Sequence, residues 1–194
     1  MRYVGFPLAL GLTVLAASLH AAGARVPAAP SGPETFTATA TVKGPNATAT
    51  ASVRVQIDRY TEDRDRKAMR EALTYGGFIK FYPALKASPA VGQVTVGTDL
   101  KFTIRWASQE STASGGRVIT IVTDQPIYFV GGSREGAKKK AGYDVAILQL
   151  DLDAAGAGTG RIAAAARIKP KPPEGIQLDD YADEPIPLSA VKKQ

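Results

Sequence analysis

The chain has 194 residues, a formal net charge of +6, one histidine and no cysteine. Its histidine, His20, lies in an apolar N-terminal segment that we expect to be removed. A mature chain without imidazole or thiol excludes Ser-His-Asp and Cys-His catalysis, zinc sites built on these side chains, and disulfide exchange. Carboxylates, Lys, Tyr and hydroxyl groups remain available for catalysis. From the sequence we assign no catalytic residue, no metal site and no cofactor.

The N-terminus has the pattern of a secretory signal peptide, which we place at residues 1–24. Arg2 supplies a positive charge, an uncharged apolar stretch follows, and Ala22-Gly23-Ala24 is a small-x-small cleavage site. We expect cleavage after Ala24 and a secreted or periplasmic product. An uncleaved membrane anchor is less favoured, because the stretch is short and is interrupted by Pro7 and Gly11. No later stretch is apolar enough to insert into a membrane.

The positive charge does not indicate nucleic acid as a partner. A nucleic-acid-binding protein usually gathers its Lys and Arg residues on one face, with aromatic residues between them. In this chain the basic residues are spread along the sequence, and many have acidic neighbours. We interpret the charge as that of an ordinary soluble surface.

The domain boundaries follow from a change in composition. Residues 25–33 are rich in Pro and Ala and have too few apolar residues to pack, so they predict a disordered linker. A single domain is expected over 34–194. It begins with strict alternation of apolar and polar residues over 35–42 and 48–58, which predicts two strands. Gly44-Pro45-Asn46 between them indicates the turn of a long antiparallel hairpin.

A helix is predicted next. Thr61 can cap its N-terminus, acidic residues follow in the first turn, and Gly76-Gly77 is expected to end it. A second, short helix is predicted over 78–86, although Pro83 is unfavourable there.

The rest of the chain has the patterns of short strands. In the one after the helices, alternation places Phe102, Ile104 and Trp106 on one inward face. Three prolines within 169–174 predict a spacer. Pro185 and Pro187 predict that the last strand lies at a sheet edge or forms a covering arm. The predicted strands are 94–96, 100–106, 117–123, 143–153, 161–168, 176–181 and 186–191.

These elements predict an α+β fold. The strands are mostly sequential, which favours antiparallel pairing, and a twisted sheet of this size tends to curl or close. We expect a curved antiparallel sheet or open barrel of about eight strands, with one or two covering helices.

Four short motifs carry a family resemblance. They are Ile57-Asp58-Arg59-Tyr60, Gly115-Gly116-Arg117, Thr123-Asp124-Gln125-Pro126-Ile127 and Ile176-Gln177-Leu178-Asp179-Asp180-Tyr181. Their order, over about 34–193, resembles a group of small exported bacterial proteins that is frequent in acidobacteria. The chain departs from that pattern at Gln125, where Arg is expected, and in a long basic loop after Phe129. The resemblance implies one exported domain, and it assigns no activity and no site residue.

The sharpest local feature is the corner at Thr123-Asp124-Gln125-Pro126. We interpret Asp124 as the residue of an Asx-type turn; alternatively its carboxylate lines a pocket near Tyr128. A cavity of the curved sheet would be lined by aromatic and apolar side chains. The candidate ligand-binding residues are Phe102, Ile104, Trp106, Tyr128, Phe129 and Tyr143, together with Asp124.

The function expected from the sequence is that of an exported, non-catalytic protein that binds a small apolar ligand. The alternative is an envelope structural or protein-interaction module that uses sheet edges and loops. A carboxylate-dependent hydrolase is less favoured, because the usual bases are missing. The sequence does not define the oligomeric state.

Overall fold

The computed structural model describes residues 32–43, 48–128, 142–173 and 175–194. The predicted leader and most of the predicted linker therefore lie outside the described residues. The same holds for the turn at Gly44-Pro45-Asn46 and for Phe129, which was a candidate ligand-binding residue.

Nine strands and one helix form the described part of the chain. The helix, α1, spans Asp63–Ala87 and follows the second strand. The strands are β1 (Glu34–Lys43), β2 (Thr48–Ile57), β3 (Gly92–Val96), β4 (Leu100–Ser111), β5 (Arg117–Thr123), β6 (Val145–Leu152), β7 (Ala157–Lys171), β8 (Gly175–Tyr181) and β9 (Ile186–Lys193).

Eight of these strands form a closed antiparallel barrel in the order β1-β2-β3-β4-β5-β6-β7-β9, with β9 paired to β1. The ninth strand, β8, pairs with β7 outside the ring. The predicted α+β fold, an antiparallel sheet of about eight strands with a covering helix, is confirmed. The pairing of β6 with β7 and of β7 with β9 completes the closure.

The long strand β7 connects the barrel to an outer hairpin. Ala166 pairs with Val145 of β6 and with Tyr181 of β8, so β6 and β8 lie on opposite edges of β7. The prediction of a spacer over 169–174 was wrong in part, because β7 continues through Lys171. The Lys171 ammonium lies 2.5 Å from the Glu110 carboxylate of β4 and ties the hairpin to the barrel.

The last strand is not an edge strand, which corrects the interpretation of its prolines. β9 pairs with β7 from Ile186 onward but with β1 only from Leu188 onward. Pro187 therefore lies where one edge of the strand has no partner, and its missing N–H is tolerated there. The strand with a free edge is β8, which pairs only with β7 among the described strands.

The alternating apolar residues of the strands fill the barrel interior. Because side chains in a strand point alternately to its two faces, each strand of period two places one apolar set inside. The Thr residues of β1 and β2 lie mostly on the opposite face of these strands. The buried interior includes Phe36, Val53, Val55, Ile57, Val94, Phe102, Ile104, Ile119, Ile121, Leu148, Leu150, Ile162 and Leu188.

A second apolar cluster lies outside the barrel, under α1 and the β7–β8 hairpin. On the helix, its buried residues recur every four positions. Gly77 falls in the same series and has backbone angles of φ 61° and ψ −164°. The cluster includes Met69, Leu73, Phe81, Leu85, Trp106, Val122, Val145, Ile147, Ile168 and Ile176.

The two predicted helices are confirmed as two helical stretches of α1 that meet at a kink. Gly77 has non-helical backbone angles at the kink, and the second stretch continues through Pro83. Thr61, by contrast, is not the N-cap. The N-cap is Glu62, and the Thr61 hydroxyl accepts a 2.9 Å hydrogen bond from the N–H of Ala107. In the described ranges, no helix combines the length and hydrophobicity that a membrane span requires.

A bulge in β4 overturns the predicted position of Trp106. Ile104 pairs with Thr123 and Trp106 pairs with Val122, so Arg105 is an extra residue on β4. Such a residue shifts the alternation by one. Phe102 and Ile104 point into the barrel as predicted, whereas Trp106 lies in the outer cluster.

Candidate functional site

A pocket of about 320 Å³ lies where the last turn of α1 meets the end of β5 and the start of β6. We call it the helix-end pocket. Its volume is at the lower end of the range for small-molecule sites. The lining residues are Tyr82, Lys86, Asp124, Gln125, Pro126, Tyr143 and Asp144.

The bulge in β4 positions one wall of the pocket. It turns Arg105 so that its Nε donates a 2.8 Å hydrogen bond to Asp124 Oδ2 and its Nη1 donates a 2.7 Å bond to the Ser88 carbonyl. The Tyr82 hydroxyl donates to the Asp124 carbonyl at 3.1 Å. Asp124 is thus held between β4 and the end of α1.

The interpretation of Asp124 as the Asx residue of its turn was wrong. Its carboxylate bonds the Arg105 guanidinium. The hydroxyl of the preceding Thr123 bonds the turn, since it donates to the Gln125 carbonyl at 2.6 Å. An Asx turn needs the N–H two residues later, and Pro126 at that position has none, so the carboxylate pairs with Arg105 instead.

Two tyrosine rings form further walls. The Tyr82 ring stacks on Phe78, with centroids 5.4 Å apart and an interplanar angle of 14°. The Lys86 ammonium lies 5.4 Å from the same ring's centroid. The Tyr143 hydroxyl donates to the Asp180 carboxylate, and the Arg167 guanidinium lies 5.8 Å from the Tyr143 ring centroid. These contacts fix both rings before any ligand arrives.

The carboxylates around the pocket act on its phenols. Burial raises the pKa of Tyr82, and the charges of Asp144 and Asp124 raise it further. Burial likewise raises the pKa of Tyr128, with Asp144 and Asp183 adding to the effect. Both phenols therefore stay protonated at neutral pH, and both experience the negative charge of Asp144.

Two charged residues of the pocket form no ion pair. Asp144 is half-buried, and within the described residues neither a hydrogen bond nor an ion pair engages its carboxylate. Lys86 is exposed, and its contact in the described chain is the one with the Tyr82 ring. The pocket thus offers one carboxylate and one ammonium to a ligand.

The structure divides the residues predicted to bind a ligand among several places. Phe102 lies in the barrel interior with Ile104, and Trp106 lies in the outer cluster, where its indole N–H donates to Ser108 at 3.1 Å. Asp124 and Tyr143 come together in the helix-end pocket. Burial and the charge of Asp144 also raise the pKa of Tyr128, but Tyr128 does not line the helix-end pocket.

Sequence reasoning missed five of the seven lining residues. Tyr82 and Lys86 had a signal, because residues four apart on a helix share a face. Gln125 and Pro126 directly follow Asp124 in the corner that we identified from the sequence. Asp144 gave no signal of its own, since a lone aspartate before a strand is common.

A second polar group, the Glu34 cluster, lies around Arg117 at the opposite end of β5 from the pocket. It consists of Glu34, Tyr60, Gln109, Arg117 and Lys193. Glu34 is buried and accepts bonds from Arg117 at 2.8 and 2.9 Å, from the Tyr60 hydroxyl at 2.6 Å and from Lys193 at 2.7 Å. Arg117 also donates to Gln109 at 2.8 Å and lies 5.7 Å from the Phe36 ring centroid.

The Glu34 cluster satisfies its own charges. Burial alone would raise the pKa of Glu34, but the bonds from Arg117, Lys193 and Tyr60 lower it to about 2. Burial and the Glu34 carboxylate raise the pKa of Tyr60. Each charged group has its partner inside the cluster, so we assign it a structural role.

Comparisons of the chain with protein-family models, with curated proteins and with solved structures found no match. Within the described ranges, no group of three His, Cys, Asp or Glu side chains could hold a metal ion.

Proposed function

We propose that the chain is an exported, non-catalytic binding protein whose ligand site is the helix-end pocket. The observation that carries the proposal is Asp144, whose carboxylate has no partner among the described residues, in a pocket whose other walls are fixed by hydrogen bonds and stacking. A site that is organised in advance loses less entropy when it binds a ligand.

The lining of the pocket favours a small polar ligand over the apolar one expected from the sequence. Carboxylates, an amide, an ammonium group and phenols surround the pocket. The barrel interior, where an apolar ligand was expected, contains closely buried side chains from eight strands. Phe102 and Ile104 therefore serve as core residues in this proposal.

A panel of compounds tests the proposed site. Thermal unfolding of the mature protein would be measured with free amino acids, sugars, polyamines, dicarboxylates, nucleosides and fatty acids, and binding would be confirmed by calorimetry. We expect one polar class to raise the melting temperature. The exposed Gln125, replaced by Trp, should fill the pocket and abolish that binding, whereas Lys101→Trp on the exposed face of β4 should not. Binding that survives Gln125→Trp contradicts the proposed site, and so does the absence of any binder.

A carboxylate-dependent hydrolase is the second candidate, because Asp124 and Asp144 line the same pocket. Such enzymes need one carboxyl group free to give a proton. Asp124 is held by Arg105, which disfavours that role. Hydrolysis of nitrophenyl glycosides or esters that disappears in Asp144→Asn would replace the binding proposal.

The alternative of a protein-interaction module is supported by the outer face of α1. Tyr75 and Ile79 are large, and 87% and 84% of their surfaces are exposed. Sedimentation of the wild type and of Tyr75→Ser/Ile79→Ser, with and without envelope extract, tests this alternative. A monomer that gives the same profile in every case counts against it.

Export is part of the proposal and is supported by the leader pattern. N-terminal sequencing of the protein from culture fluid or periplasm should begin at Arg25. A product that begins at Met1 contradicts it.

A further inference from the structure

Two opposite charges line the helix-end pocket without neutralising each other. Asp144 and Lys86 form no ion pair with one another or with a third residue of the described chain. Both groups nevertheless lie near the Tyr82 ring. The Lys86 ammonium lies 5.4 Å from the ring centroid, and the charge of Asp144 adds to the effect of burial in raising the Tyr82 pKa. The two charges therefore face one small space from different walls.

The remaining charges at the pocket cancel. Arg105 pairs with Asp124 at 2.8 Å, so that wall contributes no net charge. A purely cationic ligand would gain Asp144 but would face Lys86. A purely anionic ligand would gain Lys86 but would face Asp144. Only a ligand with both charges satisfies both unpaired groups.

Resting on the proposed binding site, we infer that the ligand is a small zwitterion, such as a free α-amino acid, whose ammonium pairs with Asp144 and whose carboxylate pairs with Lys86. The volume of about 320 Å³ suits a molecule of that size. Pro126 and the tyrosine rings offer apolar contact to its carbon atoms, and the Gln125 amide can bond either end.

The inference is tested by calorimetry on the mature protein with each of the free L-α-amino acids. The tightest binder is then compared with its N-acetyl form, which lacks the ammonium, and with its carboxamide, which lacks the carboxylate. We expect each derivative to bind at least about tenfold more weakly, as for the loss of one charge-assisted hydrogen bond.

Two variants assign the charges to residues. Asp144→Asn should weaken binding of the free amino acid about tenfold and leave the already weak N-acetyl form unchanged. Lys86→Gln should weaken the free amino acid similarly and leave the carboxamide unchanged. Asp151→Asn and Lys192→Gln, at exposed positions on β6 and β9 away from the pocket, are the matched controls and should bind as the wild type does.

The possible failures are distinguishable. If no amino acid binds but another class does, and Gln125→Trp abolishes that binding, the zwitterion inference is wrong and the proposed site remains. If an amino acid binds with equal affinity to the wild type, Asp144→Asn and Lys86→Gln, the inference is also wrong. If nothing binds, both the inference and the proposed function are wrong.

Discussion

The buried carboxylate of Glu34 should be worth several kcal/mol of stability at neutral pH. A carboxyl group whose pKa falls from 4.5 to about 2 on folding stabilises the folded state by about 3 kcal/mol above pH 4.5. Glu34→Gln removes that charge and leaves Arg117 buried without its partner. We expect the free energy of unfolding at pH 7 to fall by about 3–5 kcal/mol, the usual cost of breaking a buried ion pair.

The pH dependence of this loss has a definite sign. Because the folded-state pKa of Glu34 lies below the unfolded value, the unfolded chain takes up the proton first as the pH falls. The contribution of Glu34 is therefore complete above pH 4.5 and declines toward pH 2. The difference in stability between the wild type and Glu34→Gln should shrink over the same interval.

Urea unfolding between pH 7 and pH 2.5 measures both effects, with the fluorescence of the buried Trp106 as the signal. The matched control is Glu71→Gln, at an exposed position on α1, which should change stability by less than about 0.5 kcal/mol. The reasoning is refuted if Glu34→Gln unfolds at the wild-type urea concentration at pH 7. It is also refuted if the difference between the two proteins is the same at pH 7 and pH 2.5.

Three further substitutions test the packing outside the barrel, all by urea unfolding followed through Trp106. Phe81→Ala should cost about 3–5 kcal/mol because Phe81 is fully buried on the inner face of α1, and a cost below about 1 kcal/mol would mean that the helix is loosely packed. Gly77→Ala should cost about 1–3 kcal/mol, since its backbone angles suit only glycine; no cost would argue against the break in the helix. Thr61→Val should cost about 1–3 kcal/mol by orphaning the Ala107 N–H, whereas Thr61→Ser should be nearly neutral; equal losses would exclude the hydrogen bond as the cause.

The fold class was predictable because strand alternation is a local property. Each residue of the predicted strand over 35–42 alternates between an apolar and a polar type, and β1 buries Phe36 and Ala40 accordingly. The pairing of β3 with β4 and of β4 with β5 follows from the short hairpins that join them, whereas β2 pairs with β3 across α1. The closure through β9 joins residues far apart in sequence, so no local pattern indicated it.

The misplacement of Trp106 shows where alternation stops being informative. Both Trp106 and Ala107 are fully buried, one outside the barrel and one inside. From the sequence, therefore, either Trp106 or Ala107 could be assigned to the inward face of the strand. The bulge at Arg105 is a property of the pairing with β5, and it becomes visible only when the register is known.

The candidate site was predictable only in part, for a related reason. Asp124 drew attention because it follows a strand at a corner, and Tyr143 because it is aromatic. Their partners Tyr82 and Lys86 come from a helix that precedes Asp124 by about forty residues and Tyr143 by about sixty, and only the tertiary structure brings them together. That Asp144 has no partner among the described residues is likewise a tertiary property, since it depends on distances to residues remote in sequence.

Stability and the proposed ligand binding depend on different polar residues. Glu34, at the start of β1, is paired with Arg117, Tyr60 and Lys193. Asp144, just before the start of β6, has no partner for its carboxylate among the described residues. A satisfied buried charge contributes to folding, while a charge without a partner gains one only when a ligand binds. Asp144→Asn should therefore weaken ligand binding and leave the urea midpoint unchanged. Glu34→Gln should lower the midpoint and, at low urea, leave the ligand affinity unchanged. An Asp144→Asn variant that unfolds more easily than the wild type would place Asp144 among the structural groups and remove the main support for the pocket as a binding site.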